Sequence, residues 1–332
     1  MLSFALFGCG RIGKMHADNL ASHPKAQLTA VYDVNEAAAA EVAAKHGCRA
    51  AKTVDEIMAA SDIDAVMIAS STDTHVQLLT AAAKAGKAIL CEKPIDLDIG
   101  RVETCKKEIA GTDVPVMIGF NRRFDPSFAA VKKAMDGGEI GDIRQVIVTS
   151  RDPDLASLEY LKVSGGIFRD MTIHDFDMAR FLLPEEPVEV SAMASVMVDK
   201  AVGEIGDHDT AVIIMRTAGG HQAIINNCRR AVYGYDQRIE VLGATGMLQA
   251  NNRRATTIER WSKSRTAAQD PLLWFFIERY KEAYIAEIDA FIKCLETGSP
   301  CSPGFEDGRK ALLLANAAYE SLKTGRTVKV GA

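Results

Sequence analysis

The segment GCGRIG, residues 8–13, follows directly on the apolar run SFALF and opens a helical pattern. No other feature narrows the fold as far. In that setting Gly8 permits a tight turn, Gly10 lets the backbone approach a pyrophosphate, and Gly13 allows close packing of helix on strand. Arg11 and Ile12 begin the helix, where unpaired N–H groups and the positive end of the dipole suit an anion. The next apolar run, LTAVYD, ends at Asp33, twenty residues after Gly13. A carboxylate there accepts both adenosine-ribose hydroxyls and repels a 2′-phosphate, so the spacing predicts NAD rather than NADP as cofactor. The bland alternative is a glycine turn in an α/β protein that binds no nucleotide. Strand, loop, helix and Asp33 in this order weigh against it. Cys9 reads as a small filler within the loop.

Beyond the loop, the runs at 64–70, 88–94 and 114–120 carry no polar alternation, and helical patterns lie between them at 74–85 and 99–110. Strands buried on both faces and separated by helices predict a doubly wound parallel sheet. After residue 120 the pattern changes. Candidate strands at 143–151, 188–198, 209–218, 221–230 and 236–244 are separated mostly by turn chemistry such as AGG at 218–220. That spacing predicts an antiparallel, meander-like sheet. Two helices, 274–297 and 306–323, complete the chain. The expected organisation is an N-terminal Rossmann domain over 1–120 and a C-terminal α+β domain over 121–332.

A length of 332 residues suits two domains, and a net charge of −5 disfavours nucleic-acid or membrane partners held by a positive field. The seven cysteines are odd in number and contain no CxxC, which argues against a disulfide framework or structural zinc and for a reducing compartment. No apolar run approaches bilayer length, so the expected location is the cytoplasm.

Candidate chemistry gathers at the carboxyl edge of the first sheet. SSTDTH (70–75) follows one strand, and Ser70 and Thr72 are expected to line the cofactor site. His75 is a further candidate there, although such a histidine ordinarily just opens a helix. AILCEKP places Glu92 and Lys93 at the same edge, where Lys93 is suited to hydrogen-bond a substrate hydroxyl; the alternative is a solvated surface lysine. In SGGIFRDMTIHDFDMARFL, Asp170, His174 and Asp177 stand at i, i+4 and i+7, forming one stripe if the segment is a single helix. Met171, Met178 and Leu182 lie alongside and look core-facing. A histidine can accept an alcohol proton near neutral pH, and Asp170, one turn away, can orient its ring. Competing readings are a solvated helix face, or a metal held by His174, Asp175 and Asp177, which lacks a second ligand cluster. The arginines of NRR, NCRR and NNRR read as surface or locally paired.

GCGRIG, Asp33, STDTH, CEKP, GFNRRFD and DMTIHDFDMAR resemble, in order and spacing, the Gfo/Idh/MocA oxidoreductase family, across essentially the whole chain. SGGIFRDMTIHDFDMAR, YGYDQRIEV and WFFIERYKEAYIAEIDAF further resemble its bacterial inositol-dehydrogenase branch. The resemblance implies that Lys93 lies between nicotinamide and the reacting hydroxyl, and that Asp170 and His174 complete the catalytic group. It also implies oxidation of a polyol ring hydroxyl, myo-inositol before a pyranose sugar, and no metal. Arg123, Asp152, Asp177 and Tyr235 become candidate substrate contacts. A large open sheet in the second domain, packing against other subunits, implies a homodimer or homotetramer. A non-catalytic NAD-binding regulator is the rival of another class; it needs none of Lys93, Asp170 and His174.

Overall fold

The structure, a computed structural model, describes residues 1–331. It resolves into two compact units, Met1–Asn121 with Glu282–Leu312, and Arg122–Lys281 with the residues from Leu313 onward.

The first unit is built on β1 (Leu2–Phe7), β2 (Ala26–Tyr32), β3 (Arg49–Ala50), β4 (Ala65–Ile68), β5 (Ala88–Glu92) and β6 (Val116–Gly119). Their order is β3-β2-β1-β4-β5-β6, and every neighbouring pair is parallel. Phe4–Phe7 and Ala65–Ile68 are buried on both faces, which is why these runs show no alternation. The order reverses between β1 and β4, and such a switch point opens a crevice at the carboxyl ends. Helices begin and end where the side chains dictate. Asn35 accepts from the Ala37 and Ala38 N–H groups at the start of Glu36–His46, and Gly47 ends that helix in the left-handed region at φ 66°. The helix Lys281–Thr297 belongs here because its apolar face completes this core: Phe291 meets Phe4 edge-on, ring centroids 6.1 Å apart. A separate short helix, Phe276–Arg279, precedes it, so the single helix expected from 274 is broken at Tyr280.

The second unit contains β7 (Ile143–Arg151), β8 (Pro187–Ser195), β9 (Thr210–Thr217), β10 (Gln222–Cys228), β11 (Asp236–Gly243) and β12 (Met247–Ala250), with a hairpin of β13 (Glu259–Ser262) and β14 (Arg265–Gln269), and β15 (Val328–Lys329). The large sheet runs β12-β11-β7-β10-β9-β8-β15. It is mostly antiparallel, as expected, but not a simple meander. β7 lies between β11 and β10 and pairs with β10 in parallel. The chain between β7 and β8 carries three helices, Leu158–Val163, Gly166–Asp170 and Ile173–Leu182, so these sequential strands are not neighbours. Along β9, Ala211, Ile213 and Met215 are buried while Val212 and Ile214 are exposed. One face of the sheet is core, and the other carries apolar side chains outward.

Candidate active site

In the first unit the three loop glycines do different work. Gly8 has φ +96°, and a Cβ there would lie 2.4 Å from the Ala69 carbonyl oxygen. A Cβ on Gly13 would lie 1.9 Å from the Gly8 carbonyl oxygen, whereas one on Gly10 would meet nothing within 4 Å. The protein's own packing therefore demands the outer two glycines. Gly10 instead leaves open space at the N-terminus of the helix Arg11–Ser22, which has no side-chain cap. Asp33 stands at the base of this loop, accepting the Cys9 N–H at 2.6 Å and the Asn35 N–H at 2.8 Å. Each carboxylate oxygen keeps acceptor capacity for a further donor. Burial and the neighbouring Asp33 push the Cys9 thiol up to about 11, consistent with an inert filler.

At the same edge, the Ser70 and Thr74 hydroxyls lie 2.7 Å apart, and Thr72 opens a short 3₁₀ turn. His75 is fully buried, with Nδ1 2.8 Å from the Pro94 carbonyl oxygen and Nε2 3.1 Å from that of Ser70. Burial lowers its basicity. The ring ties the loop after β4 to the turn after β5. Glu92 ends β5 with Oε1 2.8 Å from Nε2 of His16, and half-buried Lys93 follows at the strand's carboxyl end.

In the second unit the predicted stripe is not one helix. Asp170 closes Gly166–Asp170, and Ile173–Leu182 starts after a break at Met171 and Thr172. Asp170 accepts from the Tyr160 hydroxyl at 2.7 Å and from Arg229 Nη1 at 3.1 Å. Arg229 is itself buried and gives its Nη2 to Asp207 at 3.2 Å. His174 is partly exposed between fully buried Ile173 and Asp175. Met171, Met178 and Leu182 are core residues, as their spacing predicted.

Asp177 and Arg123, expected as substrate contacts, form a buried pair. Arg123 donates Nε at 2.8 Å and Nη2 at 2.6 Å to the two oxygens of buried Asp177, while its guanidinium lies over Phe181. Arg122 likewise donates to Asp175 at 2.5 Å, and Asn227 joins that carboxylate at 2.8 Å. Arg279 pairs with Asp125. The reading of these arginines as surface or locally paired fails for Arg122, Arg123 and Arg229, because each is buried on an aspartate distant in sequence; Arg279, outside those segments, is buried in the same way. For Arg122, Arg123 and Arg229 the signal was the doubled arginines themselves, which local periodicity cannot pair with a partner. Asp152 is pushed up to about 6 by burial, against the pull of Arg229 and Arg122. Tyr235 is buried edge-on to Tyr280 at 6.0 Å.

Two family models match this chain. The oxidoreductase family with the NAD-binding Rossmann fold covers residues 2–120, and the GFO/IDH/MocA C-terminal domain covers 128–249. The chain belongs to the GFO/IDH/MocA oxidoreductase family. As a member of that family it is 52% identical to an inositol 2-dehydrogenase of Rhizobium meliloti, over 98% of each chain. Among solved structures, a myo-inositol dehydrogenase from Corynebacterium glutamicum superposes with a TM-score of 0.96 at 46% identity, covering 100% of this chain and 99% of that one. A scyllo-inositol dehydrogenase from Lactobacillus casei, solved with NAD(H) and scyllo-inositol, matches at TM-score 0.90 and 30% identity over the whole of both chains. These members share the GFO/IDH/MocA architecture found here, a Rossmann unit and a mixed, mostly antiparallel sheet. Among the described residues no helix is long and apolar enough to cross a membrane.

Proposed function

We propose that the protein oxidises myo-inositol at one ring carbon to 2-keto-myo-inositol (scyllo-inosose), as an NAD-dependent dehydrogenase. The observation that carries this reading is the likeness to an inositol 2-dehydrogenase at 52% identity over 98% of each chain. Bound NAD⁺ supplies the hydride acceptor. The residues present fit it: open space at Gly10, an uncapped helix N-terminus and a carboxylate at Asp33 placed for ribose hydroxyls.

The chain's own groups handle the hydroxyl. When hydride leaves the carbon, the hydroxyl proton must leave the oxygen, or the ketone cannot form. His174 as a neutral imidazole accepts that proton. Asp170, braced by Arg229 and Tyr160, holds a negative charge in place to favour the imidazolium that results. Lys93 donates to the reacting oxygen and stabilises the negative charge that develops there. Asp152 and Tyr235 remain candidate contacts for the other hydroxyls. The exposed side of the large sheet supports assembly with further copies of this chain: Met193 is paired with Val212, and Leu242 with Met247, so their exposed side chains share one face with Ile214. A reducing cytoplasmic setting fits seven unpaired thiols.

NADH formation with a panel of inositol isomers and pyranoses tests the reading. Myo-inositol should give the highest kcat/KM, with the rate rising with pH through one ionisation that His174→Ala abolishes. A pyranose preferred over every inositol would overturn the substrate, and binding of NAD⁺ without turnover of any polyol would favour a regulator.

A further inference from the structure

Within the first unit three titratable side chains meet in a place the proposed chemistry does not use. His16 comes from the helix Arg11–Ser22, Glu92 from the end of β5, and Glu287 from the helix Lys281–Thr297. One donor atom from each lies within 4.8 Å of the others. His16 and Glu287 are fully buried, and the Glu92 side chain is 12% exposed. The His16 ring stands edge-on to Tyr284, one turn before Glu287 on the same helix, at 5.6 Å and 90°. Opposite Glu92 on β6 is Gly119, where a Cβ would come 3.1 Å from Glu92 Oε2. The neighbouring strand is bare where the carboxylate needs room.

The charge state follows from the setting. Two carboxylates this close in an apolar interior cannot both be ionised. Glu92 has His16 Nε2 at 2.8 Å as a donor, whereas neither oxygen of Glu287 finds a hydrogen-bond partner among the described protein groups. Glu287 therefore carries the proton; burial, then Glu92, push its carboxyl well above the usual range. As an acid it has one hydrogen to give, and the Glu92 carboxylate is an acceptor within the same cluster. A metal is the poorer occupant. The separation of 2.8 Å between His16 and Glu92 is a hydrogen bond, shorter than the about 3.3 Å edge of a tetrahedral site with ligands near 2.0 Å.

We infer that Glu287 is a positioning residue for the reaction: with His16 it clamps the Glu92 carboxylate, and through Glu92 it sets where Lys93 leaves the end of β5. Glu92 and Lys93 are consecutive, so a shift of one carries the other, and misplacement by 1 Å can slow a reaction about 100-fold. The inference rests on the role given to Lys93 above.

Three variants and one spectrum test it. Glu287→Leu removes the donor, Glu287→Gln keeps a neutral donor of the same length, and Glu287→Leu is also made in a Lys93→Met background. The expected result for Glu287→Leu is a kcat lower by about 10–100-fold with NAD⁺ affinity within about 3-fold of wild type. Glu287→Gln should restore kcat to within about 3-fold, and in the Lys93→Met background the leucine should cost nothing further, because it acts through a group already gone. Loss of kcat in the glutamine variant equal to that in leucine, or additive losses in the double variant, would overturn the positioning role while leaving Lys93 in its place. Full activity of Lys93→Met would instead remove the reading of Lys93, and the inference with it. Should the leucine variant not fold, infrared spectra of wild type and Glu287→Gln decide the matter: a protonated-carboxyl C=O band must be present in the first and absent from the second, and identical spectra in that region would refute the neutral acid.

Discussion

Alanine at Gly10 and alanine at Gly13 are nearly the same edit, three residues apart in one loop, and they should fail in opposite ways. At Gly13 the new Cβ would sit 1.9 Å from the Gly8 carbonyl oxygen, so helix and loop must part by at least about 1.1 Å to reach the 3.0 Å floor of real contacts. Overpacking of that kind costs about 1–3 kcal/mol, with the upper end expected where the obstacle is backbone. At Gly10 the backbone is extended, φ −73° and ψ −166°, which alanine adopts without strain, and nothing in the protein lies within 4 Å of its Cβ. Folding should change by less than about 1 kcal/mol, the scale of an N-cap replacement. The methyl instead enters the space that bound pyrophosphate needs, and the same overpacking range of about 1–3 kcal/mol appears as NAD⁺ affinity, a loss of roughly 5–150-fold. Thermal melting of the apoprotein and titration of NAD⁺ by fluorescence or calorimetry separate the two. Gly10→Ala should melt with wild type and bind poorly; Gly13→Ala should melt early. A Gly10→Ala protein that binds NAD⁺ as tightly as wild type would refute the assignment of this loop to the pyrophosphate.

Asp33→Ala should weaken NAD⁺ by about 1.5–3 kcal/mol, the range for hydrogen bonds to a charged group, and NADP⁺ by less; equal losses in paired titrations would move Asp33 out of the ribose site. Arg123→Ala leaves Asp177 buried without its bidentate partner, so stability should fall by about 3–5 kcal/mol in denaturant melts while KM for the polyol stays near wild type. An unchanged melt with a raised KM would return Arg123 to the substrate. Asp209, buried but accepting the N–H groups of Met197, Val198 and Asp199 at 2.8–3.1 Å, is held below the ordinary aspartate value of 3.8, those bonds outweighing its desolvation. Its stabilisation is therefore complete above the unfolded value and lost as pH falls through the lower folded one. The melting difference between wild type and Asp209→Asn should be full near neutrality and shrink between about pH 5 and pH 2; a difference that grows on acidification contradicts this sign.

The dinucleotide loop was legible because its constraints are local. Gly8, Gly13 and Asp33 act through neighbours that any β-loop-α connection brings close, and the apolar strands behind them identify their own burial. The second unit was less legible for the opposite reason. Periodicity in 164–182 spaced Asp170, His174 and Asp177 on one stripe, but nothing local revealed the break at Thr172 or that Arg123 would claim Asp177. The insertion of β7 between β11 and β10 is likewise a long-range pairing that turn spacing cannot report. Glu287 did leave a mark, as an acid within the apolar stretch AYIAEIDAF, and a charged residue on a core stripe is the signal that finds such groups.

The return of Glu282–Leu312 to the first unit has a consequence for how the chain is made. A ribosome delivers residues in order, and a nascent Met1–Asn121 segment can form its parallel sheet while Phe4 still awaits the ring of Phe291. The first unit thus reaches its full core only after Glu282–Leu312 has emerged, and the loop closed by that contact runs from Phe4 to Phe291. The entropic cost of closing it grows only logarithmically with length, so the finished unit need not be weak, but its completion waits until the segment around Phe291 has been made. Cutting the gene after residue 121 would release a sheet with one flank uncovered rather than a self-sufficient nucleotide-binding fragment.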